Sequence, residues 1–362
     1  MSNKIIFFTR QEPKETLAQY LRILKLKELF ANAFDEEVFL FNTYENINKI
    51  KLINKTKKRI KEYLKALDNE VNIFVIDILD PWSINLLRKY ASKHNIKVYI
   101  DIVEYADPKE KKLRWLSPSL ILNHKMIKHS VKKDMTVLAI SNWFINFYQK
   151  RGIKAILIPN LINEKEDNSS FIVNRDNEPV SFIFAGYPQK KDALDMIMLS
   201  LINLKNDNYT FTFNIAGINE SDFFNKYPTL RDKKEVINTF TKFYGQLDRE
   251  QIKELYRASD YSIILRDPNL VVCQSGFPTK FSESLAYARP VIANLTSDIA
   301  LYLKNGYNGY IVDGFDINAL SSALKKALDN QDFRSIMYKN ALESSKEHFS
   351  PALYVKSLKD EE

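Results

Sequence analysis

Short apolar runs rich in β-branched residues alternate with longer helical patterns along nearly all of this 362-residue chain. In the first half, IIFF (5–8), VFLF (38–41), VNIFVI (71–76), KVYI (97–100) and TVLAI (136–140) read as strands. Helical patterns fill 14–33, 46–67 and 82–94 between them. A strand, a helix and a further strand in succession call for a crossover connection. That makes the strands parallel and puts the helices on the sheet faces. The predicted class is therefore α/β, with doubly wound parallel sheets.

AILIPN (155–160) then brings a proline, and the polar stretch 163–177 reads as a linker or surface loop. The alternation resumes with VSFIFAG (180–186), FTFNIAG (211–217), VINTFTKFYG (236–245), YSIILR (261–266), PVIA (290–293) and YIVD (310–313) as strands. Helices are expected up to about 203 and over 249–258, 280–288, 297–304 and 316–328. A broken amphipathic helix covers 333–358, interrupted near Ser350-Pro351. These patterns predict two domains, 1–160 and 161–344. All eight glycines lie at or after Gly152, and several follow strands directly. That is where an α/β sheet lets backbone approach a ligand.

Composition removes several classes. The apolar fraction is 45%, and no run of 18 apolar residues suggests a membrane span. The opening MSNKIIFF reads as a strand rather than a signal peptide, so the expected location is cytoplasmic. One cysteine, Cys273, excludes an internal disulfide. His94, His124, His129 and His348 have no zinc-ligand spacing, and there is no D-x-D, so no metal site is expected. Charge is uneven. Residues 1–160 hold 29 Lys and Arg against 17 Asp and Glu, a net of +12; the rest hold 24 against 28, a net of −4. Lys51, Lys55, Lys57, Lys58, Arg59, Lys61 and Lys65 share one helical segment. Lys109, Lys111, Lys112 and Arg114 precede Trp115-Leu116. Such a basic half suits anionic lipid, nucleic acid, a phosphorylated substrate or simple solvation, and basic residues beside a tryptophan suit an anionic membrane surface. No nucleic-acid motif is present, so no nucleic-acid partner is expected.

GFPTKFSESLAYARPVIA (276–293) is the most specific segment. A glycine and a short turn lead into a helix with an early carboxylate, Glu283, the layout that holds a phosphorylated ligand against a helix end. With FAGYPQKKD, FYGQLDREQIKELYRASDYSIIL and NGYNGYIV, in that order, it resembles the retaining nucleotide-sugar glycosyltransferases of the bacterial group 1 (family 4-like) class. The resemblance is strongest over 180–312. It implies the GT-B architecture, two Rossmann-like domains facing each other across a cleft, with the C-terminal helix (about 345–362) packing back on the first domain. It further implies metal-independent transfer of a hexosyl unit from a nucleotide sugar, UDP- or GDP-linked, to a glycan or lipid-linked glycan, with no other cofactor.

The resemblance assigns roles residue by residue. Lys191, with Lys190 beside it, faces the diphosphate as Gly186 ends its strand. A positive charge at a helix N-terminus is otherwise unhelpful, which supports that reading. Tyr187 stands where the family usually has an arginine, and Arg266 is expected to substitute. Glu283 matches the second glutamate of E-x7-E and would accept hydrogen bonds from the ribose hydroxyls; a carboxylate suits a vicinal diol. Ser275 stands at the first glutamate's place. The amides of Gly276 and Phe277 would approach the sugar or distal phosphate, and Thr279 opens the helix. Asp101 and Glu104, after the KVYI strand, are candidates for the sugar or acceptor site, and Arg10 for a phosphate contact. Ser275 and Tyr187 also suggest an alternative, a non-catalytic GT-B module that binds a glycan or a partner glycosyltransferase.

Overall fold

The computed structural model describes residues 4–14, 18–67, 70–77, 79–107, 118–163, 169–172, 175 and 178–360. The basic segment with Lys109, Lys111, Lys112, Arg114 and Trp115 lies outside the described residues. Contacts divide the chain into two units. The first runs to Leu161 and includes Ser275–Phe277 and the segment from Pro351 onward; the second holds Ile162–Gln274 and Pro278–Ser350.

The first unit contains β1 (Lys4–Thr9), β2 (Glu37–Asn42), β3 (Val71–Asp77), β4 (Lys97–Ile102), β5 (Thr136–Ala139) and β6 (Lys154–Leu157). They form one parallel sheet in the order β2-β1-β3-β4-β5-β6. Position in the sheet explains the sequence pattern. Five of the six β1 residues are buried, because helices cover both faces. β2 lies at the edge and alternates exposed and half-buried positions over its first four residues. Phe30 meets Phe7 and Tyr99 edge-to-face, at ring-centroid distances of 5.4 and 5.2 Å. The same cluster takes in Leu358, fully buried, from the short helix Val355–Lys359.

The second unit contains β7 (Val180–Phe184), β8 (Phe211–Ala216), β9 (Thr241–Gly245), β10 (Tyr261–Ile264), β11 (Val291–Asn294) and β12 (Gly309–Val312). They form a second parallel sheet in the order β12-β11-β10-β7-β8-β9. The strand expected over 236–245 is a correction. Its first part is the helix Lys234–Asn238, and only Thr241–Gly245 is strand. Ile237 is buried on the helix while Thr239 Oγ1 bonds back to the Val236 carbonyl at 2.7 Å, which ends the turn before the strand starts. Short apolar runs are ambiguous between the two states.

Buried charge in this unit converges on Asp260, which is fully buried beside the start of β10. Its carboxylate accepts from the Ser181 amide at 2.6 Å and from the Tyr338 hydroxyl. It also pairs with Arg175 (3.1 Å) and Arg334 (3.4 Å). Arg289, fully buried, donates to the Tyr256 and Phe171 carbonyls at 2.7 and 2.6 Å, and burial pushes its pKa down to about 10. The arginine of the 276–293 motif is thus a structural staple.

Candidate functional site

β7 sits in the middle of the second sheet. The chain leaves it for β8 on one side and later returns to β10 on the other. Such a reversal opens a crevice at the carboxyl ends of the strands, the usual ligand position in open α/β sheets. Two glycines shape this end. Gly186, after β7, has φ +102°, and its amide donates to the Ala216 carbonyl at 3.1 Å. Gly217, after β8, has φ +100°, and a Cβ added there would lie 2.4 Å from the Gly186 carbonyl carbon. The two turns pack backbone on backbone, which any side chain at Gly217 would prevent.

Beyond Gly186, residues Lys190–Asp192 form a single 3-10 turn. Gln189 and Asp192 cap it reciprocally, with the Gln189 amide donating to Asp192 Oδ2 at 2.8 Å. The turn feeds the helix Leu194–Asn206. Asp192 also accepts a hydrogen bond from Lys280 Nζ, Oδ1 being 3.1 Å away, across from the helix Thr279–Ala286. The side chains of this pair are 17% and 12% exposed. Lys280 Nζ lies 3.7 Å from the centroid of the Phe184 ring, and Lys280 Cε is 3.4 Å from the position of a Cβ on Gly186.

The charges act on one another. Burial pushes the Lys280 ammonium down, Asp192 opposes this, and Arg266 and Lys191 add to the depression. Burial alone would raise the Asp192 carboxyl, but Lys280, the Gln189 amide and Lys191 outweigh it and hold the group below its ordinary value. Arg266 lies just past β10 and is buried. Its amide donates to Asn294 Oδ1 at 2.9 Å, Asn294 Nδ2 returns a bond to its carbonyl at 2.7 Å, and Nη2 reaches the Val272 carbonyl at 3.3 Å. Glu283 follows Lys280 by one turn and is half-buried. It faces Tyr256, whose phenol is raised first by burial and then by the Glu283 charge. Tyr187 is 60% exposed, with Lys226 Nζ 4.6 Å from its ring centroid.

Of the residues expected at the donor site, Gly186, Lys190, Lys191, Arg266, Thr279 and Glu283 therefore lie in the second unit, on the turns and helix described. Lys280 was not anticipated. The signal was present: it stands at the second position of a helix, where a cation opposes the helix dipole, the same argument that marked Lys191.

The remaining expected residues belong to the first unit. Ser275 is fully buried. Its hydroxyl accepts from the Tyr105 amide at 3.2 Å and donates to the Tyr105 carbonyl at 3.3 Å, while its own carbonyl accepts from Ser141 Oγ at 2.6 Å. The Phe277 carbonyl accepts from Asn160 Nδ2 at 3.3 Å. These bonds tie Ser275, Gly276 and Phe277 into the first unit's framework. Asp101 is 3% exposed. Its carboxylate takes three bonds from Arg22, at 2.8, 2.9 and 3.2 Å, and Arg22 also donates to the Ile158 and Pro159 carbonyls at 2.9 and 2.7 Å. Asp101 and Ser275, expected to be catalytic, have architectural bonding here. Next to Asp101, Asp77 accepts from Thr9 Oγ1 at 2.8 Å; burial, then the Asp101 charge, push its carboxyl up to about 7. Arg10 pairs with Asp80 at 3.5 Å, with burial lowering its pKa. The Glu104 carbonyl accepts from Asn123 Nδ2 at 3.4 Å.

Residues 165–344 match the family model for group 1 glycosyl transferases. No curated protein sequence matches the chain. Among solved structures, it resembles a sucrose-phosphate synthase from Thermosynechococcus elongatus, with TM-score 0.74 and 15% identity, covering 99% of this chain and 98% of that one. It also resembles a glycosyltransferase from Rickettsia africae, with TM-score 0.71 and 15% identity over 99% and 97% of the two chains. HepE of Anabaena, in complex with UDP and glucose, gives 0.69 and 12% over 99% of each chain. At these identities the likeness establishes the fold: two parallel-sheet α/β units of the GT-B class.

Proposed function

We propose that the protein is a glycosyltransferase that moves a hexosyl unit from a nucleotide sugar, UDP- or GDP-linked, to a glycan or lipid-linked glycan, with retention of configuration and no resident metal or other cofactor. The observation that carries this reading is the cationic cluster beside the Gly186 turn, inside the segment that matches the group 1 model. HepE, which shares the fold, was solved with UDP-glucose.

In the proposed mechanism the leaving diphosphate lies against Lys191 and Lys280, with Lys190 at the rim. Negative charge grows on that group as the glycosidic bond breaks, and fixed cations in a partly dry site stabilise it strongly. Buried Arg266 adds to the same field without direct contact. The glycine turns let backbone amides come close, which side chains would obstruct. Glu283 accepts bonds from the ribose hydroxyls, and Thr279 begins the helix whose N-terminal amides complement negative charge. Asp101 and Ser275 serve by holding the first unit's framework in shape.

The test is a thermal-shift screen with UDP, GDP, TDP, CMP and their sugars without added metal. One nucleotide should raise the melting temperature, and Lys191→Ala and Glu283→Ala should each remove the shift. If no nucleotide shifts it, the donor site is wrong. The bonding of Ser275 favours a second reading, a non-catalytic module that binds a glycan or a partner glycosyltransferase. Transfer of labelled sugar by the isolated protein eliminates it.

The acceptor reading includes a peripheral contact with anionic lipid at the cytoplasmic face of a membrane. The helix Lys49–Lys65 buries Thr56, Ile60 and Leu64 and turns Lys51, Lys55, Lys58, Lys61 and Lys65 outward. Glu45 and Glu62 offset part of this charge. Among the described residues no helix is long and apolar enough to cross a membrane. Sedimentation with phosphatidylserine vesicles should fall steeply between 50 and 300 mM salt, on the order of the Debye screening expected. Equal sedimentation with neutral vesicles would dismiss the contact.

A further inference from the structure

We propose that Asp192 is a positioning residue for Lys280, fixing its ammonium on the Gly186 turn as a preset anchor for the donor's diphosphate. This rests on the nucleotide-sugar reading and adds to it a group that touches no substrate.

The geometry is specific. Asp192 has two oxygens with two tasks. Oδ2 closes the 3-10 turn on the Gln189 amide at 2.8 Å; Oδ1 takes Lys280 Nζ at 3.1 Å. One carboxylate thus couples the turn that carries Lys190 and Lys191 to the helix that carries Lys280 and Glu283. The Phe184 ring, 3.7 Å from Nζ, blocks one side of the ammonium. Gly186 leaves room for the aliphatic stem, since a Cβ there would already be in contact with Cε. A long flexible lysine is thereby held in one rotamer before any ligand arrives, which lowers the entropy lost on binding.

Asp192 also keeps the proton in place. The charged groups facing Lys280 are Asp192 and Lys191 on the turn and Arg266 behind β10; Phe184 on β7 is neutral. Burial, Arg266 and Lys191 favour proton loss; Asp192 opposes them through its charge and its hydrogen bond, and the Phe184 ring face adds a weaker cation–π attraction. Removing the carboxylate's charge leaves a largely buried lysine facing two cations, which lowers its pKa further. A neutral Lys280 would no longer attract a diphosphate.

The experiment measures UDP and GDP affinity from pH 6.5 to 9.5 by calorimetry, with the full chain. The variants are wild type, Asp192→Asn, Lys280→Ala and the double variant Asp192→Asn/Lys280→Arg. Asparagine keeps an acceptor for the Gln189 amide, so the turn stays capped. Wild-type affinity should begin to fall only at a higher pH than in Asp192→Asn, because Asp192 opposes the loss of the Lys280 proton. Asp192→Asn should lose at least about tenfold above pH 7 beyond any wild-type change, recovering toward pH 6.5, because one unit of pKa corresponds to tenfold. The double variant should bind with a flat profile, since arginine stays charged. An Asp192→Asn profile parallel to wild type overturns the proposal. So does unchanged affinity in Lys280→Ala, while leaving the nucleotide reading intact. Failure of wild type to bind either nucleotide overturns both.

Discussion

Arg22→Ala should destabilise the first unit by about 3–5 kcal/mol, the range for removing one partner of a buried ion pair. The loss exceeds that of a surface pair because both partners are nearly inaccessible and every Arg22 contact is architectural. Its guanidinium joins β4, through Asp101, to the carbonyls that follow β6, so the variant strands a carboxylate and frees two carbonyls. Asp77 makes the case sharper. It keeps its proton up to about 7, which leaves Arg22 with a single carboxylate to balance. The sign follows. A carboxyl whose folded value lies above its ordinary one lends stability below the ordinary value, and this is lost as pH rises through the folded value. Asp77 therefore costs the wild type stability between about pH 4 and 7. In Arg22→Ala, Asp77 loses the cation that lowers its carboxyl, so its cost grows and the deficit should be smaller at pH 4 than at pH 8. Urea unfolding at both pH values checks this. A deficit below about 1 kcal/mol at pH 8 would mean the pair is not a brace.

Gly217→Ala should remove about 3 kcal/mol or more from the second unit and weaken nucleotide binding with it. The added methyl would fall 2.4 Å from the carbonyl carbon of Gly186 and 2.5 Å from the Tyr187 nitrogen, both backbone atoms that cannot swing aside. Either the β7 turn moves or the sheet edge opens, and both displace the place where Lys280 rests. Gly306→Ala is the matched control. It also has positive φ, at +75°, but nothing lies within 4 Å of the added atom, so only backbone strain of about 1 kcal/mol is expected. Equal melting temperatures for the two variants would refute the packing argument.

The fold was legible because parallel strands are buried on both faces and announce themselves as apolar runs. The order of strands was not, because each sheet's order depends on which side a crossover takes. The places of Lys191 and Glu283 were legible because they depend on local helix starts, the turn before Leu194–Asn206 and the helix Thr279–Ala286. The bonding of Asp101 and Ser275 was not legible, for the opposite reason. Asp101 is answered by Arg22, 79 residues away, and Ser275 by Tyr105, 170 residues away, and no spacing in the sequence encodes those partners. Lys280 lay between the two kinds. Its helix position was readable, but its bonding partner, Asp192, lies 88 residues upstream.

Leu358 completes a cluster whose other buried members all precede residue 162. On a ribosome those residues emerge first, and Leu358 follows after about 200 more, roughly 10–40 s later at ordinary synthesis rates. Through that interval the helix Ala18–Phe34, against which Val355–Lys359 packs, lacks that cover. The nascent first unit thus spends that interval with an apolar cluster short of its last member.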